Sequence, residues 1–285
     1  LSWRSLINFL SVKLSVLKSF LYVWYGVFMD IIIPAESISG EISRVYLVTR
    51  EQNGTSGKVV ASLVTHRLIG MAINITSLLV GTSILLFRGQ FSGIVLNLTL
   101  FIAILTTVFL ILLILLCVKE SWTLKIIGAA MKLVEYISRG RWKLAKIRED
   151  TIKAAKMFHN SMDQFGHTPK TISASLFFHI LSWLFSLGVA YLVFLSIRFP
   201  VHWSVIIVTY SIVVAVKAIP LGVPFEVGLP EITMTTLYRL LSPDMTLDIA
   251  ATVTILTRIL TLWLRFFVGF AVQQWLGIRT IKQQT

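Results

Sequence analysis

The sequence has few charged residues and a single cysteine. Asp, Glu, Lys and Arg make up 14% of the 285 residues and hydrophobic residues make up 56%, whereas soluble domains carry about 25% charged residues. A soluble domain of this length could not bury so much apolar surface, because roughly a quarter of the surface of its unfolded chain stays exposed. The composition therefore excludes an ordinary soluble domain and predicts an all-α, polytopic, multi-pass protein of the cell membrane. Cys117 alone excludes an intramolecular disulfide framework.

Acidic residues are scarce relative to basic ones, since 13 Asp and Glu accompany 26 Lys and Arg and the net charge is +13. In a soluble protein such an excess would indicate nucleic-acid binding. Here eleven of the basic residues lie between Lys119 and Lys170, together with five acidic ones. Basic residues collect in the cytoplasmic loops of membrane proteins, so this segment is predicted to be cytoplasmic and no nucleic-acid partner is expected.

Motifs for common enzyme chemistry are missing as well. The sequence contains no HExxH or CxxC metal motif, no Walker phosphate-binding loop and no GxSxG nucleophile motif. We therefore expect no catalytic residue, no cofactor, no metal site and no enzymatic activity. Leu1 is not an initiator methionine, which is compatible with a longer chain carrying further N-terminal spans.

Long apolar runs are abundant, and a helix needs about 20 apolar residues to cross the hydrocarbon core of a bilayer. The runs that clearly qualify are Leu68–Phe87, Gly93–Val118, Ile172–Ile197 and Leu247–Ile278. Two shorter or more polar runs, Ser15–Ile33 and His202–Ile219, bring the prediction to about six long spans. Two further segments follow breaks with Pro and Gly and are predicted to form short broken or re-entrant helices, namely Gly40–Arg50 and Glu231–Leu241.

The orientation of these spans follows from the basic segment 119–170. Its apolar residues recur at helical spacing beside the charges, which predicts an amphipathic helical pair on the inner leaflet. The short loops 88–92 and 198–202, with one arginine each, suit the outer face. Leu68–Phe87 is then predicted to run from inside to outside and Leu247–Ile278 from outside to inside, with the tail that carries Arg279 and Lys282 inside.

The two halves of the chain share a spaced pattern. Each contains a proline, a glutamate seven positions later and an arginine 26 or 27 positions beyond the glutamate. These residues are Pro34, Glu41 and Arg67 in the first half and Pro224, Glu231 and Arg258 in the second. With the topology, the pattern predicts a single transmembrane domain over residues 1–285, built as an inverted repeat of residues 15–88 and 202–278 that is typical of secondary transporters. The alternative is chance similarity between apolar segments, and the inversion requires Glu231–Leu241 to help the chain cross, since otherwise Leu247–Ile278 would reverse.

Several charged residues adjoin the apolar helices, where a charge at the bilayer centre costs at least a few kcal/mol. They are Glu41, Arg44, Arg67, Lys217, Glu231, Arg258 and Arg265. One interpretation is structural: Glu41 pairs with Arg67 and Glu231 with Arg258, and a helix N-terminus favours each glutamate. The functional interpretation is a polar cavity whose arginines hold a phosphate through bidentate hydrogen bonds. Arg258 and Arg265 are predicted on nearly the same helix face, because seven residues make about two turns, and Trp263 between them is predicted to line the same cavity.

These motifs resemble the flippase-like transmembrane family, also called the lysylphosphatidylglycerol synthase transmembrane region. The first block of the resemblance consists of Pro34, Gly40, Glu41, Arg44 and Arg67. The second block consists of Pro224, Gly228, Glu231, Arg258 and Trp263. The resemblance extends from about residue 15 to residue 278. One departure is that the paired glycines that follow the proline in the family are Phe225 and Glu226 here.

The resemblance implies a flippase-like protein that translocates or handles a polar anionic lipid, either an aminoacyl phospholipid or a polyprenyl-phosphate-linked sugar. Its implied partners are membrane lipids and a glycosyltransferase or lipid-modifying enzyme. The predicted substrate-binding residues are Glu41, Arg44, Arg67, Glu231, Arg258, Trp263 and Arg265. Two alternatives stay open: an integral membrane transferase that uses Glu231 as a general base, and an accessory subunit that anchors a soluble enzyme through the basic segment 119–170.

Overall fold

The computed structural model describes residues 1–33, 38–89, 93–137, 145–218 and 223–282. These residues form twelve α-helices, and no strand occurs among them, so the all-α prediction is confirmed. The helices are Ser2–Phe9 (α1), Val16–Ile32 (α2), Ile38–Glu51 (α3), Ser56–Phe87 (α4), Gly93–Val118 (α5), Glu120–Ile137 (α6), Ala145–Gly166 (α7), Pro169–Ser196 (α8), Trp203–Lys217 (α9), Leu229–Leu241 (α10), Leu247–Arg258 (α11) and Leu264–Lys282 (α12). A 3-10 turn, Pro224–Glu226, precedes α10, and a π-helical segment, Ile259–Trp263, joins α11 to α12. The predictions that involve Pro34 and residues 138–144 of the basic segment lie outside the described residues.

Among the described residues, four helical stretches are long and apolar enough to cross a membrane. They are Ser56–Phe87, Val95–Val118, Pro169–Ser196 and Leu247–Gly277. They confirm the four clearest of the predicted spans. The other two predicted spans are helices α2 and α9 of 17 and 15 residues, which measure about 25 and 22 Å and are shorter than a hydrocarbon core of about 30 Å.

The chain divides into two compact units. The first contains Leu1–Ser19, Val45–Ile69 and Phe109–Phe178, and the second contains Phe20–Arg44, Gly70–Val108 and His179–Thr285. The divisions fall inside helices α2, α3, α4, α5 and α8, so these helices contribute residues to both units.

The first unit contains the N-terminal helix and the basic helical pair. Helix α1 buries Trp3, Leu6 and Ile7, and Trp3 Nε1 donates a hydrogen bond to Ser62 Oγ of α4 at 3.0 Å. Helices α6 and α7 contact each other, which confirms the helical pair predicted within residues 119–170.

The second unit has its apolar core between α4, α5, α8, α9, α10 and α11. Phe194, Ile206 and Tyr238 are among its fully buried side chains. Polar side chains join α4 to α9 inside this core: the hydroxyls of Ser77 and Ser211 are 2.9 Å apart. Because buried polar groups are costly unless they are hydrogen-bonded, this bond fixes where the two helices meet.

Helices α2 and α3 form an antiparallel pair, which we call the first hairpin. At one end, Lys18 of α2 forms an ion pair with Glu51 of α3 at 3.0 Å. At the other end, Asp30 of α2 accepts a hydrogen bond from the Gly40 amide of α3 at 2.6 Å. The chain therefore turns back on itself between the two helices.

Helices α9 and α10 form the second hairpin, and both of its outer ends lie beside the last turns of α8. Trp203 at the start of α9 stacks on Tyr191, with ring centroids 4.4 Å apart. Tyr238 near the end of α10 meets Phe194 edge-on at 5.1 Å. The chain thus enters through α9 and returns through α10.

This return bears on one step of the topology argument, which required Glu231–Leu241 to help the chain cross so that Leu247–Ile278 keeps its direction. In the structure α11 begins at the end where α8 finishes, so the second hairpin as a whole returns the chain to that end. The orientation of Leu247–Ile278 in the membrane stays a prediction.

Glycine is required where α2 and α3 cross. A Cβ atom added at Gly40 would collide with the Asp30 carboxylate and the Gly26 backbone oxygen. A backbone oxygen cannot move aside as the end of a long side chain can. Gly188 in α8, in contrast, has open space around it.

We expect Gly40→Ala to destabilise the protein by about 1–3 kcal/mol, the usual cost of overpacking a well-packed contact. Thermal unfolding of the purified protein in detergent measures this, with Gly188→Ala as the matched control. The control should be neutral or slightly stabilising, because alanine is a better helix former than glycine. Equal unfolding temperatures for the two variants would contradict the close crossing of α2 and α3.

Candidate functional site: charged tips of two helical hairpins

One carboxylate links the N-terminus of α10 to α11, and each of its two oxygens accepts one hydrogen bond. Glu231 Oε2 accepts the amide N–H of Gly228 at 2.7 Å, which is the backward half of a capping box. Glu231 Oε1 accepts Nε–H of Arg258 at 2.6 Å. Glu231 therefore shows both predicted features in one side chain. It pairs with Arg258, and it lies at the helix N-terminus.

Arg258 connects three elements while lying buried, with 8% of its surface exposed. Besides its bond to Glu231, its Nη2 donates to the carbonyl of Glu226 at 2.9 Å and to that of Phe225 at 3.4 Å. Arg258 is eleven residues into α11 from Leu247, or about 16 Å along the helix axis. That length is about half the thickness of a hydrocarbon core, and a charge buried within an apolar helix needs partners of this kind.

The turn before α10 has an unusual backbone conformation. Phe225 and Glu226 have φ angles of 62° and 48°, in the left-handed region that favours glycine and costs other residues roughly 1–2 kcal/mol each. These are the two positions where the family pattern has paired glycines. Phenylalanine and glutamate therefore adopt here a backbone conformation that glycine adopts without strain.

Side chains hold this turn. The ring of Phe225 stacks on Trp263, with centroids 5.9 Å apart. The carboxylate of Glu226 forms an ion pair with Lys217 at the end of α9, at 2.5 Å. Together with the bonds from Arg258 to both carbonyls, these contacts determine a strained conformation that would not persist alone.

The segment between Arg258 and Arg265 corrects the prediction that both lie on nearly the same face. Residues 259–263 are π-helical, and the i→i+5 hydrogen bonds of a π-helix place more residues in each turn than an α-helix does. The register after this segment is therefore rotated. Arg258 is buried whereas Arg265 is exposed, although both lie within electrostatic range of Lys217.

The tip of the first hairpin is also organised by a carboxylate. Asp30 Oδ1 accepts the Gly40 amide at 2.6 Å and the Ser39 hydroxyl at 2.8 Å. At the start of α10 the carboxylate that accepts the backbone N–H belongs to Glu231 of the same helix. At the start of α3 it belongs to Asp30 of the preceding helix. Arg44 and Glu226 both lie within electrostatic range of Asp30, so the charged tips of the two hairpins lie near each other within the second unit.

The structure brings together most, but not all, of the predicted substrate-binding residues. Glu231, Arg258 and Trp263 share the turn before α10, and Arg44 and Arg265 belong electrostatically to the same cluster. Glu41 lies in the first turn of α3. Arg67 lies in the part of α4 that belongs to the first unit, and its pairing with Glu41 stays a prediction.

Three residues of the site were missing from the predicted set. Lys217 was noted only as a charge beside an apolar helix, and Asp30 and Glu226 were not predicted to act in the site. The sequence contained one signal for Asp30: it is a carboxylate inside an apolar run, ten residues before Gly40. No signal in the sequence connects Glu226 to Lys217, because their pairing depends on how the turn folds.

We use the name tip cluster for eight charged residues, four cations and four carboxylates, which lie at the hairpin tips and on α11 and α12. The members are Asp30, Glu41, Arg44, Lys217, Glu226, Glu231, Arg258 and Arg265. Such a set can bind a phosphate through its guanidinium and ammonium groups and an ammonium group through its carboxylates. Among the described residues, no three His, Cys, Asp or Glu side chains are grouped as metal ligands would be.

Long apolar helices, with largely buried ion pairs at the tip of the second hairpin, define a multi-pass helical membrane protein. The family model described as the lysylphosphatidylglycerol synthase TM region matches residues 1–269, and the chain belongs to this family. The chain is also similar to a UPF0104 membrane protein of Pyrococcus horikoshii, with 20% identity over 278 residues that cover 94% of this chain and 79% of that protein. No solved structure matches. The family resemblance read from the hairpin motifs is thereby confirmed.

Two substitutions at Glu226 test the backbone conformation of the strained turn before α10. Glu226→Ala and Glu226→Gly both remove the ion pair with Lys217, but only alanine keeps a Cβ atom at a positive φ. We expect the glycine variant to be more stable than the alanine variant by about 1 kcal/mol, as measured by thermal unfolding in detergent. The reverse order would show that residue 226 does not adopt the left-handed conformation.

Proposed function

We propose that this protein binds the polar headgroup of an anionic lipid at the tip cluster and carries it between the two leaflets. The observation that supports this most directly is the Arg258–Glu231 pair, which lies about 16 Å along the last long apolar helix, and we propose that this position is near the middle of the bilayer. Transporters with broken helices place their sites at this depth, where half-helix N-termini face the substrate. The substrate classes are an aminoacyl phospholipid or a polyprenyl-phosphate-linked sugar.

Bundle stability alone does not account for so many charges. Replacing a buried ion pair by well-packed apolar side chains is often neutral or stabilising, because removing two charges from water is expensive. The tip cluster contains the ion pairs Lys217–Glu226 and Arg258–Glu231, and other charges lie beside them. A polar headgroup that passes through this region would bind to such charged groups, and apolar residues could not bind it.

The cations of the tip cluster have capacity left for a phosphate. Within the described part of the chain, Arg265 has no carboxylate partner and is exposed. The Nη1 atom of Arg258 likewise donates to no described atom, since the bonds of this side chain use Nε and Nη2. Planar guanidinium groups bind phosphate oxygens in pairs, and the exposed end of this set can receive a headgroup first.

The two hairpins open in opposite directions, so each of them can lead a headgroup to a different leaflet. The first hairpin opens toward the start of α4 and the second toward the end of α8. In the topology predicted from the positive-inside rule, these two ends are on opposite faces of the membrane. We therefore propose that the hairpins are an inverted pair, and that alternating exposure of their tips moves the headgroup while the tails stay in lipid.

We further propose that the protein acts without chemical change to its lipid. No covalent step is needed for the headgroup to exchange ion pairs with the tip cluster. Membrane lipids are the proposed partners, and a glycosyltransferase or lipid-modifying enzyme is the proposed source or recipient of the lipid.

Reconstitution tests this proposal. Proteoliposomes containing fluorescent phospholipids or polyprenyl-phosphate sugars report movement between leaflets through a membrane-impermeant quencher. Arg258→Ala should slow transport at least tenfold, because about 1.4 kcal/mol of lost phosphate binding already corresponds to a factor of ten. Arg239→Ala, at the opposite and exposed end of α10, is the matched control and should transport like the wild type.

A second variant separates binding from folding. If Arg258→Ala also lowers the yield of monodisperse protein, Arg265→Ala should still slow transport, because an exposed side chain is not needed to hold the helices together. A well-folded wild type that moves none of these lipids would overturn the proposal. Chemical turnover of a labelled lipid would then favour a transferase, and a stable co-purifying enzyme would favour an anchoring subunit.

A further inference from the structure

The first unit contains a cavity that is separate from the tip cluster. It has a volume of about 380 Å³, is lined by helices α4, α5, α6 and α7, and is partly open to the surface. Its lining includes Val60 and Val64 of α4, Leu113 and Leu116 of α5, and Ile127 of α6. None of the residues of the tip cluster lines it, so the proposed transport path gives it no role.

The interior of this cavity is apolar even where hydroxyl groups line it. The Thr123 hydroxyl donates to the Leu116 carbonyl at 2.9 Å, and the Thr151 hydroxyl donates to the Ile147 carbonyl at 2.7 Å. Their donors are therefore used inside their own helices or the adjoining turn. The pocket therefore offers an almost wholly apolar lining, which suits a hydrocarbon group.

The cavity reaches the protein surface through apolar residues. Val60 and Ile126 both line it, and they are 37% and 55% exposed. At its other side, α4 and α7 meet closely at Gly57, where an added Cβ would collide with the Ala154 carbonyl oxygen. The space is thus closed between α4 and α7 and accessible beside α6.

The neighbourhood of the opening has residues that are typical of the membrane surface. At the corner between α5 and α6, the Lys119 ammonium lies over the ring of Trp122 at 5.5 Å. Tryptophan and lysine are typical anchors at the boundary between hydrocarbon and headgroups. Lys58, Lys125 and Lys153 each directly adjoin a lining residue in the sequence, as does Asp150, so the charged neighbours of the lining carry a net positive charge.

We propose that this cavity binds one acyl chain of an anionic glycerophospholipid from the leaflet next to α6 and α7. An apolar space suits the hydrocarbon chain, and the flanking lysines suit a phosphodiester headgroup with a net negative charge. The bound lipid joins the amphipathic helices to the ends of α4 and α5. This site is independent of transport, since no residue is shared with the tip cluster.

Photocrosslinking tests the site directly. The purified protein is placed in nanodiscs containing phosphatidylglycerol with a diazirine near the end of one acyl chain, and adducts are mapped by mass spectrometry after illumination. We expect adducts on lining residues of α5, including the sole cysteine, Cys117. A phosphatidylcholine probe with the same diazirine chain should give several-fold fewer adducts at these positions.

Neighbouring residues of α5 provide a matched pair of variants. Leu113 lines the cavity, whereas Leu112 is 49% exposed and is not among the lining residues. Leu113→Trp should fill the space and reduce cavity adducts several-fold, and Leu112→Trp should leave them unchanged. If Leu113→Trp does not yield monodisperse protein, Leu116→Phe is the second cavity-filling variant with the same expected loss.

Two outcomes would overturn the proposal. The first is labelling spread over lipid-facing residues such as Phe109, with no preference for the lining and no response to the filling variants. The second is equal labelling by the two headgroups, with no loss of the phosphatidylglycerol preference in a Lys125→Ala, Lys153→Ala double variant. Neither outcome depends on whether the protein transports lipids.

Discussion

The structure of the second unit depends on a single shared carboxylate. Glu231 accepts one hydrogen bond from the start of its own helix and another from Arg258, so that α10 cannot move without α11. Arg258 in turn holds the carbonyls of the preceding turn. Because these groups lie far from water, each partner stabilises the charge or dipole of the next, and removing any one would leave others buried and unpaired.

The sequence predicted the long helices well because a bilayer imposes a simple requirement of length and apolarity. It also predicted the Glu231–Arg258 pair, since charges beside apolar helices need partners. It did not predict helix α1, whose eight residues are too few to show a span. The π-helical segment was likewise not predictable, because Ile, Leu and Thr are compatible with either helix type and only packing selects the longer register.

The two hairpins show how similar motifs can be stabilised by different residues. The spaced pattern equates Glu41 with Glu231, but the carboxylate that accepts hydrogen bonds at the start of α3 belongs to Asp30 in α2. A backbone amide at a helix start needs an acceptor of suitable charge and geometry, and it does not matter from which helix the acceptor comes. For this reason a spaced pattern identifies the hairpin more reliably than it identifies the role of each residue.

The turn at Phe225 and Glu226 has a consequence for the unfolded chain. A glycine pair would adopt positive φ without strain, but it would also sample many more conformations before folding and lose that freedom when the turn forms. Phenylalanine and glutamate restrict the unfolded ensemble, so less backbone entropy is lost on folding. The tip of the second hairpin is therefore shaped by restricted chain freedom and specific side-chain contacts rather than by the flexibility that glycine provides.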